Sequence, residues 1–174
     1  MAEQRDHVAA ILDAWHDEEP GLDFSPVAVF GRITRIDRYL ATALREVYRH
    51  HQIDAGEYDV LAALRRSGPR YRLTPTELYR SVLVTSATMT ERLDRLQRRG
   101  LITRRPAARD RRSIHVELTP DGRALIDRAH TDLLSTEASL LDVLSPGDRD
   151  ALARLLAKLA ASLEHHQDGR EESA

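Results

Sequence analysis

Two groups of polar side chains in the middle of the chain have the types and spacing that suit contact with nucleic acid. The first group combines hydroxyl and arginine side chains within one helical segment: Thr85, Ser86, Thr88, Thr90, Arg92 and Arg95. The second group is a cluster of arginines a short distance downstream: Arg109, Arg111 and Arg112. Small hydroxyl side chains at a helix N-terminus let the backbone approach base edges, and arginine binds phosphate or guanine. Arginines on a narrow ribbon suit the minor groove, so we predict two adjacent DNA contacts.

The segments around these residues predict the elements that hold them. Thr74-Pro-Thr-Glu77 has the spacing of a capping box and opens a short helix, and residues 81–84 form a turn. Thr85 or Ser86 then caps a second helix, which Gly100 ends. Two strands follow, residues 101–105 and 113–119, with the arginine cluster between them. This order of elements is typical of a winged helix-turn-helix.

The remaining sequence predicts long helices on both sides of this lobe, so the fold class is mainly α with a small β-hairpin wing. The predicted organisation is an N-terminal extension with a short helix (1–24), a helical dimerisation region (25–53 and 120–166), a winged helix-turn-helix DNA-binding lobe (54–119) and a disordered acidic tail (167–174). These assignments rest on apolar residues at helical spacing and on Ser-Pro or Thr-Pro pairs, which are typical of helix N-termini.

Net charge hides the basic character of the middle of the chain. The 174 residues have a net charge of −2. Residues 25–84 have a net charge of +4 and residues 85–123 of +5, whereas residues 1–24 have −6 and residues 124–174 have −5. A basic face of this kind is what DNA meets. Cysteine is absent, which excludes disulfides and thiolate metal sites. No apolar run reaches the roughly 20 residues that span a bilayer, so we expect a cytoplasmic protein with no membrane partner.

Other classes of function find less support in the sequence. The adjacent pairs His50-His51 and His165-His166 are expected to point in different directions on their helices and to make poor metal sites. Phosphate-binding loops, metalloprotease motifs and nucleophile elbows are absent. We therefore predict no enzyme activity, no metal and no cofactor. A non-specific architectural DNA-binding protein remains the alternative, although acidic flanks reduce indiscriminate phosphate binding.

The hairpin resembles a known family. Asp110-Arg-Arg112, Val116 and Leu118-Thr119 match the D-x-R-x-x-x-V-x-L-T wing signature of MarR-type transcriptional regulators, and the resemblance extends over residues 30–165. It implies a homodimer that binds a palindromic operator as a repressor and is released by a small ligand. In that pattern Asp110 and Arg112 shape the wing by ion pairing, which leaves Arg111 as the groove contact.

One subgroup of that family responds to urate or related purines and carries an extra N-terminal helix, as this chain does. Its pattern of a tryptophan, an aspartate and a recognition-helix arginine is matched by Trp15, Asp59 and Arg92, which the resemblance makes candidate ligand-binding residues. An anionic purine-like or phenolic effector is therefore expected, although the asparagine of that pocket has no counterpart, because the chain contains none. Two alternatives remain: Trp15 as a packing anchor, and Asp59 with Arg92 as a structural ion pair.

The long helices predict self-association. Their apolar stripes exceed what a small DNA-binding lobe can cover. The residues concerned are Leu133, Leu134, Leu140, Leu141, Leu144, Leu152, Leu155, Leu156, Leu159 and Leu163. Packing within the chain is the alternative for some of them. A homodimer would place two recognition helices on half-sites about 10 bp apart.

Overall fold

The computed structural model describes residues 5–82, 89–106 and 114–171, with side chains as far as residue 166. The helices are α1 (His7–Glu18), α2 (Ser25–His50), α3 (Ala55–Arg66), α4 (Pro75–Ser81), α5 (Met89–Arg98), α6 (Pro120–Leu140) and α7 (Pro146–Glu171). The strands are β1 (Arg72–Leu73), β2 (Ile102–Pro106) and β3 (Ile114–Leu118). The predicted fold class, mainly α with a small β wing, is confirmed.

The chain groups into two compact units, residues 1–133 and residues 134–174. In the first unit, α1 packs on the N-terminal half of α2. Asp6 caps α1 by accepting from the backbone N–H of Ala9 at 2.8 Å, and its carboxylate also binds Arg32 of α2 at 2.8 Å. Val8 is the buried residue of α1 and contacts Gly31. This short helix is therefore fixed to α2 by one ion pair and one apolar contact.

The winged lobe, residues 54–119, surrounds the main hydrophobic core. Two capping boxes are present, Asp54 with Glu57 at the start of α3 and, as predicted, Thr74 with Glu77 at the start of α4. The core consists of fully buried residues from α3, α4, α5, the sheet and α6, among them Val60, Leu61, Leu64, Leu78, Leu96, Ile102, Val116 and Ile126. The apolar residues at helical spacing in each of these helices are thus buried in one shared core.

The sheet has three antiparallel strands rather than the predicted two, in the order β1-β3-β2. The hairpin pairs Ile102 with Leu118 and Pro106 with Ile114, within one residue of the predicted strands. The additional strand, β1, is only two residues long and pairs Leu73 with Val116. Two residues cannot show the alternation that identifies a strand in a sequence, which is why the pattern missed it.

The end of α5 is joined to the start of α6 by close backbone contacts. Gly100 ends α5 with a φ of 71°, as predicted for a C-terminal glycine. The hydroxyl of Thr119 donates to the carbonyl of Gly100 at 2.7 Å, and the N–H of Thr119 donates to the carbonyl of Leu101 at 3.1 Å. A Cβ on Gly122 would overlap that same Leu101 carbonyl, so only glycine permits this approach.

The second unit contains the end of α6 and all of α7. The hydroxyl of Ser145 accepts from the N–H of Asp148 at 3.2 Å and caps α7, as predicted. Two boundaries differ from the sequence prediction, because α6 ends at Leu140 rather than near Leu144, and α7 continues as a helix to Glu171. Residues 167–171 are therefore helical where a disordered tail was predicted. In the described ranges, no helix is both long and apolar enough to span a membrane.

Candidate nucleic-acid interface

α5 presents one buried face and one outer face. Met89, Leu93 and Leu96, which are at helical spacing, are buried against the core. Thr90 is exposed to solvent. Thr85, Ser86 and Thr88, the predicted contacts of the preceding turn, lie outside the described residues. The described part of the helix thus buries one face and leaves Thr90 accessible, and contact of this face with DNA stays a prediction.

Arg92 lies against the N-terminal turn of α3. Its guanidinium occupies the space directly over Gly56, where any Cβ would overlap it. The positive charge of Arg92 also acts on Asp59, one turn further along α3, and lowers the pKa of that carboxyl. Burial raises the pKa of Asp59 by more, so its net direction is upwards. The structure therefore places two of the three candidate ligand residues near each other, on facing helices.

Arg95, a predicted DNA contact, forms three ion pairs within the lobe. Its guanidinium donates to Asp54 at 2.7 Å, to Glu57 at 3.1 Å and to Glu91 at 3.4 Å. The hydrogen bond to Glu57 is the main cause that raises the pKa of Arg95. The helical spacing put Arg95 on the outer face, but its long side chain reaches back to the start of α3. We therefore assign Arg95 a role in the fold, and its contact with DNA stays a prediction.

Glu57 is a functional residue that the sequence reasoning identified only as a cap. It is 4% exposed, yet it accepts hydrogen bonds from Arg95 and from Arg99, the latter at 3.2 Å. Buried carboxylates need such partners, and two arginines four residues apart, one on α5 and one directly after its end, supply them. The spacing of Arg95 and Arg99 was the signal for this network. Glu57 thus fixes the C-terminal half of α5 to the start of α3.

The base of the wing is also held by ion pairs. Arg104 binds Asp94 of α5 at 2.6 Å, and Arg72 of β1 approaches Glu117 of β3 at 3.6 Å. The wing tip, with the predicted contacts Arg109, Arg111 and Arg112, lies outside the described residues. The described strands therefore fix where the hairpin leaves the lobe, next to the outer face of α5.

Trp15, the third candidate ligand residue, stacks on the residue that precedes α2. Its ring is 50% exposed and stacks on Phe24, with centroids 5.8 Å apart and an interplanar angle of 26°. Among the described residues, no hydrogen bond, ion pair or ring contact joins Trp15 to Asp59 or Arg92. The contact with Phe24 supports a packing role for Trp15. Half of the Trp15 side chain is nevertheless exposed and accessible to a ligand.

A cleft that the sequence did not predict lies between α2 and the start of α3. Its volume is about 860 Å³, and its apolar wall includes Leu40, Leu44 and Ile53. Its charged residues are of both signs: Arg45, Arg49, Arg95, Asp37, Asp54 and Glu57. An apolar wall with a few polar groups is typical of a small-molecule site. This cleft also reaches Glu57, and so contacts the network that holds α5.

Comparison with known proteins agrees with this geometry. A family model described as the MarR family matches residues 51–113. The HTH-type transcriptional regulator PecS of Dickeya dadantii is 34% identical over 156 residues, which are 90% of this chain and 94% of PecS.

Two solved structures share the fold. A mutant form of MarR from E. coli in complex with operator DNA is 27% identical with a TM-score of 0.65, and the match covers 78% of this chain and 96% of MarR. BpsR of Bordetella bronchiseptica, whose DNA binding is regulated by 6-hydroxynicotinic acid, is 26% identical with a TM-score of 0.66, covering 76% of this chain and 92% of BpsR.

The fold, the outer face of α5 and these relatives define a DNA-binding transcriptional regulator of the winged-helix class, not an enzyme. Within that class, the chain belongs to the MarR family.

Proposed function

We propose that this protein is a ligand-responsive repressor that binds a palindromic operator as a homodimer and is released by a small aromatic anion. The observation that carries the proposal is α5 itself, which buries Met89, Leu93 and Leu96 and presents Thr90 beside the root of the wing. The DNA contacts we propose are Thr85, Ser86, Thr88 and Thr90 of the recognition segment, Arg92, and Arg109, Arg111 and Arg112 of the wing. The DNA partner implies a cytoplasmic location.

Two matched variants test the DNA contacts in a gel shift with the DNA upstream of the protein's own coding sequence. Arg111→Ala should weaken binding about tenfold or more and reduce its salt dependence, because a groove-bound arginine is lost. Arg154→Ala, which removes an exposed cation from α7, should leave binding unchanged. Excess bulk DNA distinguishes the architectural alternative, since a sequence-specific regulator keeps its operator and a non-specific protein loses it. Equal losses in the two variants would contradict the proposed interface.

The homodimer is supported by apolar surface that a single chain leaves open. α2 and α7 contain no buried residue among the described side chains, and Leu155 of α7 is 66% exposed. Leu155→Glu should shift the protein from dimer to monomer in light scattering at micromolar concentration and should weaken operator binding. A wild-type protein that is monomeric under these conditions would contradict the dimer.

The effector proposal rests on the positive charge of Arg92 and on the exposed ring of Trp15. An aromatic anion can stack on an indole and form charge-assisted hydrogen bonds with a guanidinium. Regulation of BpsR by 6-hydroxynicotinic acid supports an effector of this chemical type. Binding at Arg92 would disturb its contact with α3, and α5 would tilt in the DNA groove.

Release of DNA by urate, xanthine, salicylate and 6-hydroxynicotinate provides the test. Trp15→Ala and Arg92→Ala should raise the ligand concentration that is needed for release, whereas Arg45→Ala in the α2–α3 cleft should not. The reverse pattern would place the effector in that cleft. An unchanged response in all three variants would exclude both positions.

A further inference from the structure

The turn that follows α2 brings together groups that the sequence predicted to point apart. His50 is the last residue of α2, and His51 is its C-cap, with φ of −88° and ψ of 4°. Gln52 then has a φ of 55°, so the chain leaves the helix at this point. The two imidazole rings lie 5.0 Å apart, with an interplanar angle of 87°. For this pair, the expectation of divergent side chains is wrong, because His51 belongs to the cap.

A carboxylate from α6 completes the cluster. Oδ2 of Asp132 lies 2.8 Å from Nε2 of His51. One ligand atom from each of His50, His51 and Asp132 lies within 4.8 Å of the other two. The side chain of His51 is only 8% exposed and is held in place, whereas His50 and Asp132 are open to solvent. One fixed donor between two accessible donors is an arrangement that an ion can enter.

We propose that His50, His51 and Asp132 bind a divalent transition-metal ion, with Zn²⁺ as the reference. Zn²⁺ takes imidazole nitrogen and carboxylate oxygen at about 2.0–2.2 Å, with water in the remaining position of an open site. The three donor atoms already lie within 4.8 Å of one another, and rotations of the exposed side chains bring them to these metal–ligand distances. The site is independent of the proposed DNA binding, since none of its residues belongs to the DNA interface.

The surroundings select the class of metal. The three residues lie in a cleft between the end of α2 and α6, which is separate from the α2–α3 cleft. Arg128 also lines this cleft, and its charge opposes an ion held by electrostatic attraction alone. Asp127, also in the cleft, is bound by Arg65 at 2.6 Å and already has a cationic partner. Mg²⁺ and Ca²⁺ prefer sites made of oxygen, and this one offers two nitrogens. Zn²⁺, Ni²⁺ and Cu²⁺ form stronger bonds to imidazole and therefore fit it better.

An ion in this site would connect the end of α2 to α6. His51 precedes Asp54, the capping residue of α3, by three positions. Asp54 in turn binds Arg95 of α5 at 2.7 Å. A metal at the turn would therefore restrain the segment that leads into the α3–α5 network.

Calorimetric titration of the tag-free, full-length protein with ZnCl₂ tests the site, with Co²⁺ absorption as an independent signature of nitrogen and oxygen ligands. We expect one ion per chain. His50→Asn and Asp132→Asn should each weaken binding by at least the tenfold to 100-fold that loss of an outer-shell partner costs. Excess Mg²⁺ should not compete. Circular dichroism of both variants should match the wild type, because the two side chains are exposed.

The second histidine pair of the chain provides the matched control. His165 and His166 of α7 each bond to a carbonyl of their own helix, at 3.1 Å and 2.6 Å from Nδ1. The double substitution His165→Asn with His166→Asn should leave Zn²⁺ affinity unchanged. No binding by the wild type would overturn the proposal. Unchanged affinity in folded His50→Asn and Asp132→Asn variants, or an equal loss in the control, would overturn it too.

Discussion

The winged lobe differs from helices α2 and α7 in how far its apolar residues are buried. Every lobe helix has buried residues, and α3 alone contributes Val60, Leu61 and Leu64 to the core. Among the described side chains, α2 and α7 have none, and Val143, between α6 and α7, is 89% exposed. The lobe, together with Ile126 and Ala129 of α6, thus builds an interior within one chain, whereas α2 and α7 leave apolar faces that a second copy would cover. The proposed DNA contact and the proposed pairing with a second copy therefore belong to separate parts of the sequence.

The largest expected effect is on the lobe core. Leu96→Ala should lower the free energy of unfolding by about 2–5 kcal/mol, because it leaves a cavity in a closed interior. Leu155→Ala should cost less at low protein concentration, and its cost should grow with concentration if a second copy covers α7. Urea denaturation at two protein concentrations measures both. If Leu155→Ala lowered the free energy of unfolding of the monomer as much as Leu96→Ala does, α7 and the lobe core would not differ in burial.

The next effect concerns charge inside the lobe. Glu57→Gln should lower the free energy of unfolding by about 1–3 kcal/mol, since the buried hydrogen bonds to Arg95 and Arg99 lose their charged acceptor. Glu91→Gln is the control, because its pair with Arg95 is on the surface and is worth less than about 1 kcal/mol. Operator affinity should fall only for Glu57→Gln. Equal effects of the two substitutions would show that the network does not position α5.

A smaller effect should link α3 to the recognition helix. Gly56→Ala favours the helix by its propensity, but its Cβ overlaps the guanidinium of Arg92. The substitution should therefore be more favourable by about 1 kcal/mol in an Arg92→Ala background than in the wild type. A double-mutant cycle in urea gives this difference. Strict additivity would mean that Arg92 moves away from α3 without cost.

The smallest effect should appear as a dependence on pH. Burial raises the pKa of Asp59 above its ordinary value of 3.8, so ionisation of this carboxyl destabilises the fold. The penalty is absent below the ordinary pKa, grows as the pH rises through the raised pKa, and is complete above it. Asp59→Asn should thus stabilise the protein near pH 7, by no more than about 1 kcal/mol, and the gain should vanish near pH 3. Asp150→Asn, an exposed control, should show no such trend.

Local signals predicted the elements of the lobe well. Both capping boxes, the buried face of α5 and Gly100 follow from residues close together in sequence, and all of them are present. Signals that depend on distant residues were missed. Arg95 lies on the predicted outer face of its helix, yet its partners, Asp54 and Glu57, are about 40 positions away.

The same limit applies to the remaining differences. β1 exists only because β3 pairs with it, and its two residues carry no pattern of their own. His50 and His51 meet Asp132 because of a cap geometry and a packing of α6 that no local spacing specifies. Chemistry within one turn of a helix can therefore be predicted from this sequence, whereas chemistry between elements required the fold.

The junction at Gly100, Leu101, Thr119 and Gly122 has a mechanical consequence. Two hydrogen bonds and a backbone approach that tolerates no Cβ join the end of the recognition helix to the first turn of α6. A rotation of α5 that preserves these bonds must also rotate the first turn of α6. The orientation of α5 and the direction of the first turn of α6 are therefore coupled. Gly122→Ala is expected to break this coupling while leaving the outer face of α5 unchanged.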